Sequence, residues 1–202
     1  MTEAVAEVPC RVVRLLLSSV LVALAVSAAG VAGAASPPGT KTPADRAAWR
    51  TILKWPKSCE TNWHQAGFPD VAGVGIWPPA GGRRLVEVGC TLGAYQGTSM
   101  LYLYGPTGRV AGPLPLHVYE DPGTGTPKPM VLKVVLGLLS FAPRTGKLTV
   151  LDKFRGIGDC GIFSTFKLTG DRFVPTDVRA KLACDGKPPY DPLRWPRLPL
   201  PH

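Results

Sequence analysis

Apolar and polar positions alternate with period two through most of the chain beyond residue 84, the spacing of half-buried strands. Residues 85–88 (Leu-Val-Glu-Val) alternate and run through Gly89 to Cys90, residues 99–104 form a second strand, and Gly105-Pro106-Thr107-Gly108 turns it. Residues 114–119 read as a third strand, which Pro115 places at an edge. A Gly/Pro/Thr loop follows over 121–129, and residues 131–136 read as a buried strand. Residues 140–148 read as a strand end, a turn and a new strand, and 162–168 and 172–174 as a hairpin about Thr169-Gly170-Asp171. A last strand is expected over 178–184, with Asp185-Gly186 turning out of it. Helical spacing occurs once, at Ala48, Ile52 and Trp55. Thr42 as N-cap and Pro43 at the first helical position predict a short helix to about Leu53, stopped by Pro56. Residues 60–82, with Pro69, Pro78 and Pro79, read as a loop whose Trp63, His64, Phe68 and Trp77 anchor it to the core. The tail has prolines at 188, 189, 192, 196, 199 and 201, so irregular chain anchored by Trp195 is expected. The fold class is therefore mainly β (β-rich α+β), with antiparallel sheets and a short N-terminal helix.

The front of the chain has a different pattern. Arg11 and Arg14 precede an uncharged run over 15–31 that closes on Ala32-Gly33-Ala34, the form of a secretory signal cleaved after Ala34. The run is short for a membrane span, rich in Ala, Ser and Gly, and lacks a basic stop. Glu3 and Glu7 are unusual ahead of a signal, which places the expected start at Val8 or Val12. The division that follows is a signal peptide over 1–34, a linker over 35–41, a single exported domain over 42–196 and a Pro-rich tail over 197–202. Periplasmic or secreted location is implied, without a membrane span after cleavage. The formal charge of +9 comes from scattered Lys and Arg, with Arg83-Arg84 the one adjacent pair. Scattering argues against nucleic acid as a partner and leaves a weak attraction to acidic envelope polymers or anionic lipid.

Loss of the signal would remove Cys10 and leave Cys59, Cys90, Cys160 and Cys184. Four cysteines in an exported domain point to two disulfides. Zinc is disfavoured because no CxxC pair exists and His64, His117 and His202 stand apart, so no metal and no cofactor is expected. Residues 85–90 and the following hairpin faintly parallel 148–160 and its hairpin, which suggests two related β-lobes with Cys90 and Cys160 in equivalent places. That parallel favours Cys59 with Cys90 and Cys160 with Cys184.

The sharpest local signal is Arg155-Gly156-Ile157-Gly158-Asp159-Cys160-Gly161, a glycine-rich turn directly after a strand. With Cys90-Thr91-Leu92-Gly93-Ala94-Tyr95-Gln96-Gly97, Cys184-Asp185-Gly186 and Trp195-Pro196, it resembles a family of exported bacterial proteins classed as a domain of unknown function. The resemblance spans roughly 53–196 and implies a periplasmic or secreted single domain; it implies no reaction. Tyr95 and Gln96 offer a stacking ring and a two-sided amide, and Arg155 and Asp159 either bind a polar ligand or brace their own turn. These four are the candidate binding residues, and lobes that faced each other would bring both turns to one cleft. An enzyme would need Cys160 as nucleophile with His64 or His117 as base and Asp159 or Asp177 as orienter, but the spacing selects none of them. No G-x-S-x-G motif is present, and no catalytic residue is assigned. The expectation is a non-enzymatic binding or inhibitor-like envelope domain that meets an envelope protein or polymer. Its alternatives are a thiol-dependent or hydrolytic envelope enzyme and a purely structural envelope component.

Overall fold

Helix α1 (Pro43–Leu53) starts at a reciprocal cap. Asp45 N–H donates to Thr42 Oγ1 at 3.1 Å, while Asp45 Oδ2 accepts from Thr42 N–H at 2.9 Å. The helix ends before Pro56, at Lys54, which takes the left-handed conformation (φ 54°) and donates its N–H to Arg50 O. The computed structural model describes residues 36–67, 70–78, 82–121 and 125–202; the segment expected to be a signal, with Cys10, and Phe68, Pro69 and Pro79, lie outside the described residues.

The loop expected over 60–82 begins instead as helix: residues 60–65 complete a second helix, α2 (Lys57–Gln65). Its only buried residues are Cys59 and Trp63, four apart on one face, so its apolar stripe is too thin to register as periodicity. The strands are β1 (Val74–Ile76), β2 (Arg84–Leu92), β3 (Gly97–Tyr104), β4 (Val110–Ala111), β5 (Leu116–Glu120) and β6 (Lys128–Leu132). They continue as β7 (Val135–Leu136), β8 (Leu138–Ala142), β9 (Lys147–Lys153), β10 (Gly161–Thr169) and β11 (Arg172–Lys181). A first sheet runs β1-β2-β3-β4 with β7 also on β3, a second runs β11-β10-β9-β8, and β5-β6 is a separate ribbon; the pairs are antiparallel.

Both faces of β2 and β3 are covered, which is why Met100-Leu101-Tyr102-Leu103 is a continuous apolar run rather than an alternating one. Val86, Val88, Met100 and Tyr102 pack with Trp49, Leu53 and Trp55 of the helical layer. Leu85, Leu101 and Leu103 pack with Phe141, Leu148, Val150, Phe166 and Phe173 of the second sheet, joined by Leu116 and Val118 of β5. Helices, first sheet and second sheet thus form three layers, and the two sheets share one core. The suggested equivalence of Cys90 and Cys160 does not hold, because Cys90 lies inside β2 while Cys160 precedes β10. The expected pairing itself is present: Cys59–Cys90 with Cα atoms 4.5 Å apart, and Cys160–Cys184 with Cα atoms 5.0 Å apart.

Three further expectations are corrected. Residues 131–136 are not one buried strand: β6 and β7 divide them, Val131 is 55% exposed and only Val135 is buried. The ribbon's core anchors, Leu116 and Val118, are on β5, so β6 can carry apolar side chains without burying them. Residues 172–174 and the following segment belong to a single strand, β11, in which Pro175 sits opposite Phe166 at a register shift. Cys184 lies beyond its end. The tail is more regular than its prolines imply. It contains a 3-10 turn (Pro192–Arg194), Trp195 is 1% exposed, and Ala180 N–H to Pro196 O and Leu198 N–H to Val178 O, both 2.9 Å, lay it along β11.

Candidate functional site

The tip of the β2–β3 hairpin carries Tyr95 and Gln96, and the fold brings it against the Arg155–Asp159 turn. Gln96 Nε2 donates to Asp152 Oδ1 at 2.8 Å and to Lys153 O at 3.1 Å, and Lys153 N–H donates to Gln96 Oε1 at 2.8 Å. Tyr95 Oη donates to Phe154 O at 3.4 Å, and its ring stands beside Gly156, where a Cβ would lie 3.5 Å from it. Arg155 grips Asp159 with two charge-assisted bonds of 2.7 and 2.6 Å, and Asp159 Oδ2 also accepts from Gly186 N–H at 2.8 Å. The Arg155 guanidinium, with the Gly186 amide, holds the Asp159 carboxyl well below the usual carboxylate range although burial opposes this. All four predicted site residues therefore meet at one junction, where Gln96 and Asp159 bond to the chain itself; the Tyr95 ring and the Arg155 side chain remain about 40% exposed.

A cleft of about 440 Å³ opens beside that junction, lined by Trp63, Val71, Gly73, Leu138 and Leu139 among others. Glu87 of β2 and Ser99 of β3 line it as diagonal neighbours, since Ser99 pairs with Gly89. Ser99 Oγ donates to Glu87 Oε1 at 2.6 Å. Burial pushes the Glu87 carboxyl up, the Ser99 hydroxyl partly offsets this, and among the described residues no cation lies opposite it. Gly75 pairs with Glu87 across β1–β2, and a Cβ there would stand 3.5 Å from Oε2, so glycine keeps that flank open.

The wall has its own support. Gly73 and Gly89 leave room for the Trp63 ring, which occupies the space their side chains would need. Arg46 of α1, 2% exposed, lies 4.7 Å from the Trp63 ring centre and 5.1 Å from that of Trp55. It donates to Glu60 Oε2 at 3.0 Å, Ala72 O at 2.9 Å and Gly89 O at 3.1 Å, so one guanidinium joins both helices to β2 and to the segment leading into β1.

Glu87 and Ser99 escaped the sequence reading because Leu-Val-Glu-Val looks like an ordinary half-exposed strand. The available signal was that Glu87 shares its face with Leu85, which is fully buried. The residues weighed for thiol chemistry do not assemble: Cys160 is bridged to Cys184 and fully buried, and exposed His64 contacts Glu60 on its own helix at 3.1 Å. Among the described residues no group of three or more His, Cys, Asp or Glu could hold a metal ion, and no helix is long and apolar enough to cross a membrane.

A family model described as a protein of unknown function (DUF1176) matches residues 20–198. No curated protein and no solved structure matches the chain.

Proposed function

The chain belongs to this family of unknown function, DUF1176, so its role has to be read from its own site, and we propose that it is an exported, non-enzymatic binding domain. Its ligand enters the Glu87–Ser99 cleft with a hydrogen-bond donor, an amine or a hydroxyl group. The observation that carries this reading is the half-buried Glu87 carboxylate, tethered to Ser99 and facing no cation in an open cleft. A carboxylate removed from water is costly unless a donor meets it, and a ligand that supplies the donor gains by doing so.

Two disulfides and the uncharged run after Arg11 and Arg14 support export. Binding is favoured over hydrolysis because Glu87 is the one titratable group among the described lining residues, whereas general acid–base hydrolysis uses a pair. The Tyr95–Gln96 and Arg155–Asp159 turns act in this reading as positioning elements. Gln96 adjoins Gly97, whose carbonyl accepts from Gly137 N–H at 3.0 Å, and both glycines line the cleft.

Thermal-shift and NMR titrations with glucosamine, N-acetylglucosamine and a lysine-containing peptide test the proposal. At least one should saturate a site whose chemical-shift changes centre on Glu87, Ser99 and Leu138, and Glu87→Ala should abolish them in a folded protein. Shifts centred elsewhere, no binding by any of the three, or binding unchanged by Glu87→Ala would overturn it.

A further inference from the structure

The face of the second sheet turned away from the core carries a charge arrangement that its own packing does not account for. Leu148, Val150 and Phe166 point inward, so residues 147, 149, 151 and 153 of β9 and 163, 165 and 167 of β10 share the opposite face. On that face Lys147 and Lys167 are direct partners across the two strands, and both are exposed. Opposed like charges on neighbouring strands repel. Among the described residues no carboxylate pairs with either lysine; Lys167 Nζ bonds to Thr145 O instead.

Farther along the face stand Arg179, Lys153 and Lys181. Asp177 is shared by Arg179 at 2.7 Å and Arg197 at 3.0 Å, and Asp185 answers Lys181 at 3.0 Å. Lys153 has no carboxylate partner among the described residues and lies 5.7 Å from the Tyr95 ring centre. Beside the Lys147–Lys167 pair a trough of about 430 Å³ is lined by Thr145, Thr165, Thr176, Leu193 and Asp177, whose carboxylate is engaged by Arg179 and Arg197.

From this arrangement we infer that the face docks a linear phosphate-bearing polymer, the phosphates seated first at Lys147 and Lys167. Partner residues on adjacent antiparallel strands lie ~5 Å apart, and one phosphate has enough acceptor oxygens to bridge two such ammonium groups. Lys153 is six residues along β9 from Lys147, ~20 Å at strand rise, a span for a chain of charges rather than a single ion. A bilayer fits less well: between the cationic rows the face carries Thr149, the buried Thr165 and the half-buried Leu151 and Phe163, flanked by the exposed Leu138 of β8, too little projecting apolar surface to insert. The trough at Lys147 and Lys167 shares no lining residue with the Glu87 cleft, and the inference stands whether or not that cleft binds a ligand.

Inorganic polyphosphate is the probe, titrated against the intact protein over a range of salt concentrations. Lys147→Gln with Lys167→Gln should weaken binding at least tenfold and flatten the salt dependence. Lys57→Gln with Lys133→Gln, which removes the same charge from exposed positions elsewhere, should change affinity less than twofold. The first pair should also unfold at no lower temperature than the parent, because it relieves a repulsion. Equal losses in the two double variants would reduce the effect to net charge and overturn the inference. Tighter binding to phosphatidylglycerol vesicles, polygalacturonate or duplex DNA than to polyphosphate would overturn the choice of partner.

Discussion

Gln96 and Lys153 exchange hydrogen bonds across 57 residues of sequence: the amide donates to the lysine carbonyl at 3.1 Å and accepts from its N–H at 2.8 Å. The side chain does at the end of β9 what a neighbouring strand's backbone would do, and it adds a bond to Asp152. Gln96→Ala leaves those part-buried groups without their partner, at a cost of about 1–3 kcal/mol. Urea unfolding should show that loss with an unchanged denaturant slope. Gln96→Glu should be worse than Gln96→Ala, because it sets a second carboxylate against Asp152.

Asp159 contributes stability through its ionised form. Its folded pKa is lowered from 3.8, so the contribution is complete above about pH 4. It is lost as acid takes the pH down through the folded value. Asp159→Asn should therefore lower the thermal midpoint at neutral pH, and the gap between the two proteins should close only in strong acid. A gap that is absent at neutral pH would mean that the Arg155–Asp159 pair does not brace the turn.

Glu87 acts with the opposite sign. Its folded pKa is raised above 4.5, so the folded state holds this proton more tightly than the unfolded chain does. The resulting stability is present below about pH 4.5 and declines as pH rises through the folded value. Glu87→Gln keeps an oxygen for Ser99 and removes the charge. In urea unfolding at stepped pH it should equal or exceed the parent at neutral pH and lose that advantage in acid.

Arg46 is the buried charge on which the helical layer depends. Glu60 answers it, and the Arg46 and Trp55 donors hold Glu60 below its ordinary value against the effect of burial. Arg46→Ala strands that carboxylate, and breaking a buried pair from one side costs about 3–5 kcal/mol. Arg46→Lys should recover only part, since an ammonium cannot reach Glu60, Ala72 and Gly89 in one plane. The same denaturation curves, followed by tryptophan fluorescence, read both effects.

The two disulfides close stretches of similar length, with sequence separations of 31 and 24 residues. Replacing either pair by serine should cost ~3 kcal/mol through the unfolded chain, with little difference between them. Thiol titration of the protein from residue 35 onward, native and denatured, should find no free cysteine. A free Cys160 would reopen thiol chemistry.

Local chemistry was legible in the sequence and distant register was not. Thr42, Pro43 and Asp45 lie within four positions, so the cap can be read without the rest of the fold. The cysteine pairing emerged from counting and a rough symmetry, although the symmetry failed and the pairing stood. Helix α2 was hidden because two buried residues, one of them a cystine, are enough to hold it. Strand β6 misled in the other direction: Val131 and Leu132 have the composition of a core strand, but the ribbon buries β5 instead. The cleft was invisible for a geometric reason. Ser99 reaches Glu87 only once β2 and β3 are paired with a shift between Gly89 and Thr91, and no local pattern specifies that shift.

The tail's bonds to β11 also bear on solubility. Strand β11 is the margin of the second sheet, and a bare margin offers its amides and carbonyls to any passing chain. Pro196 and Leu198 occupy two of those groups, Trp195 is buried beside them, and prolines at 196 and 199 prevent the segment from extending as a template in its turn. The proline-rich end thus caps the sheet and guards the molecule against edge-to-edge aggregation.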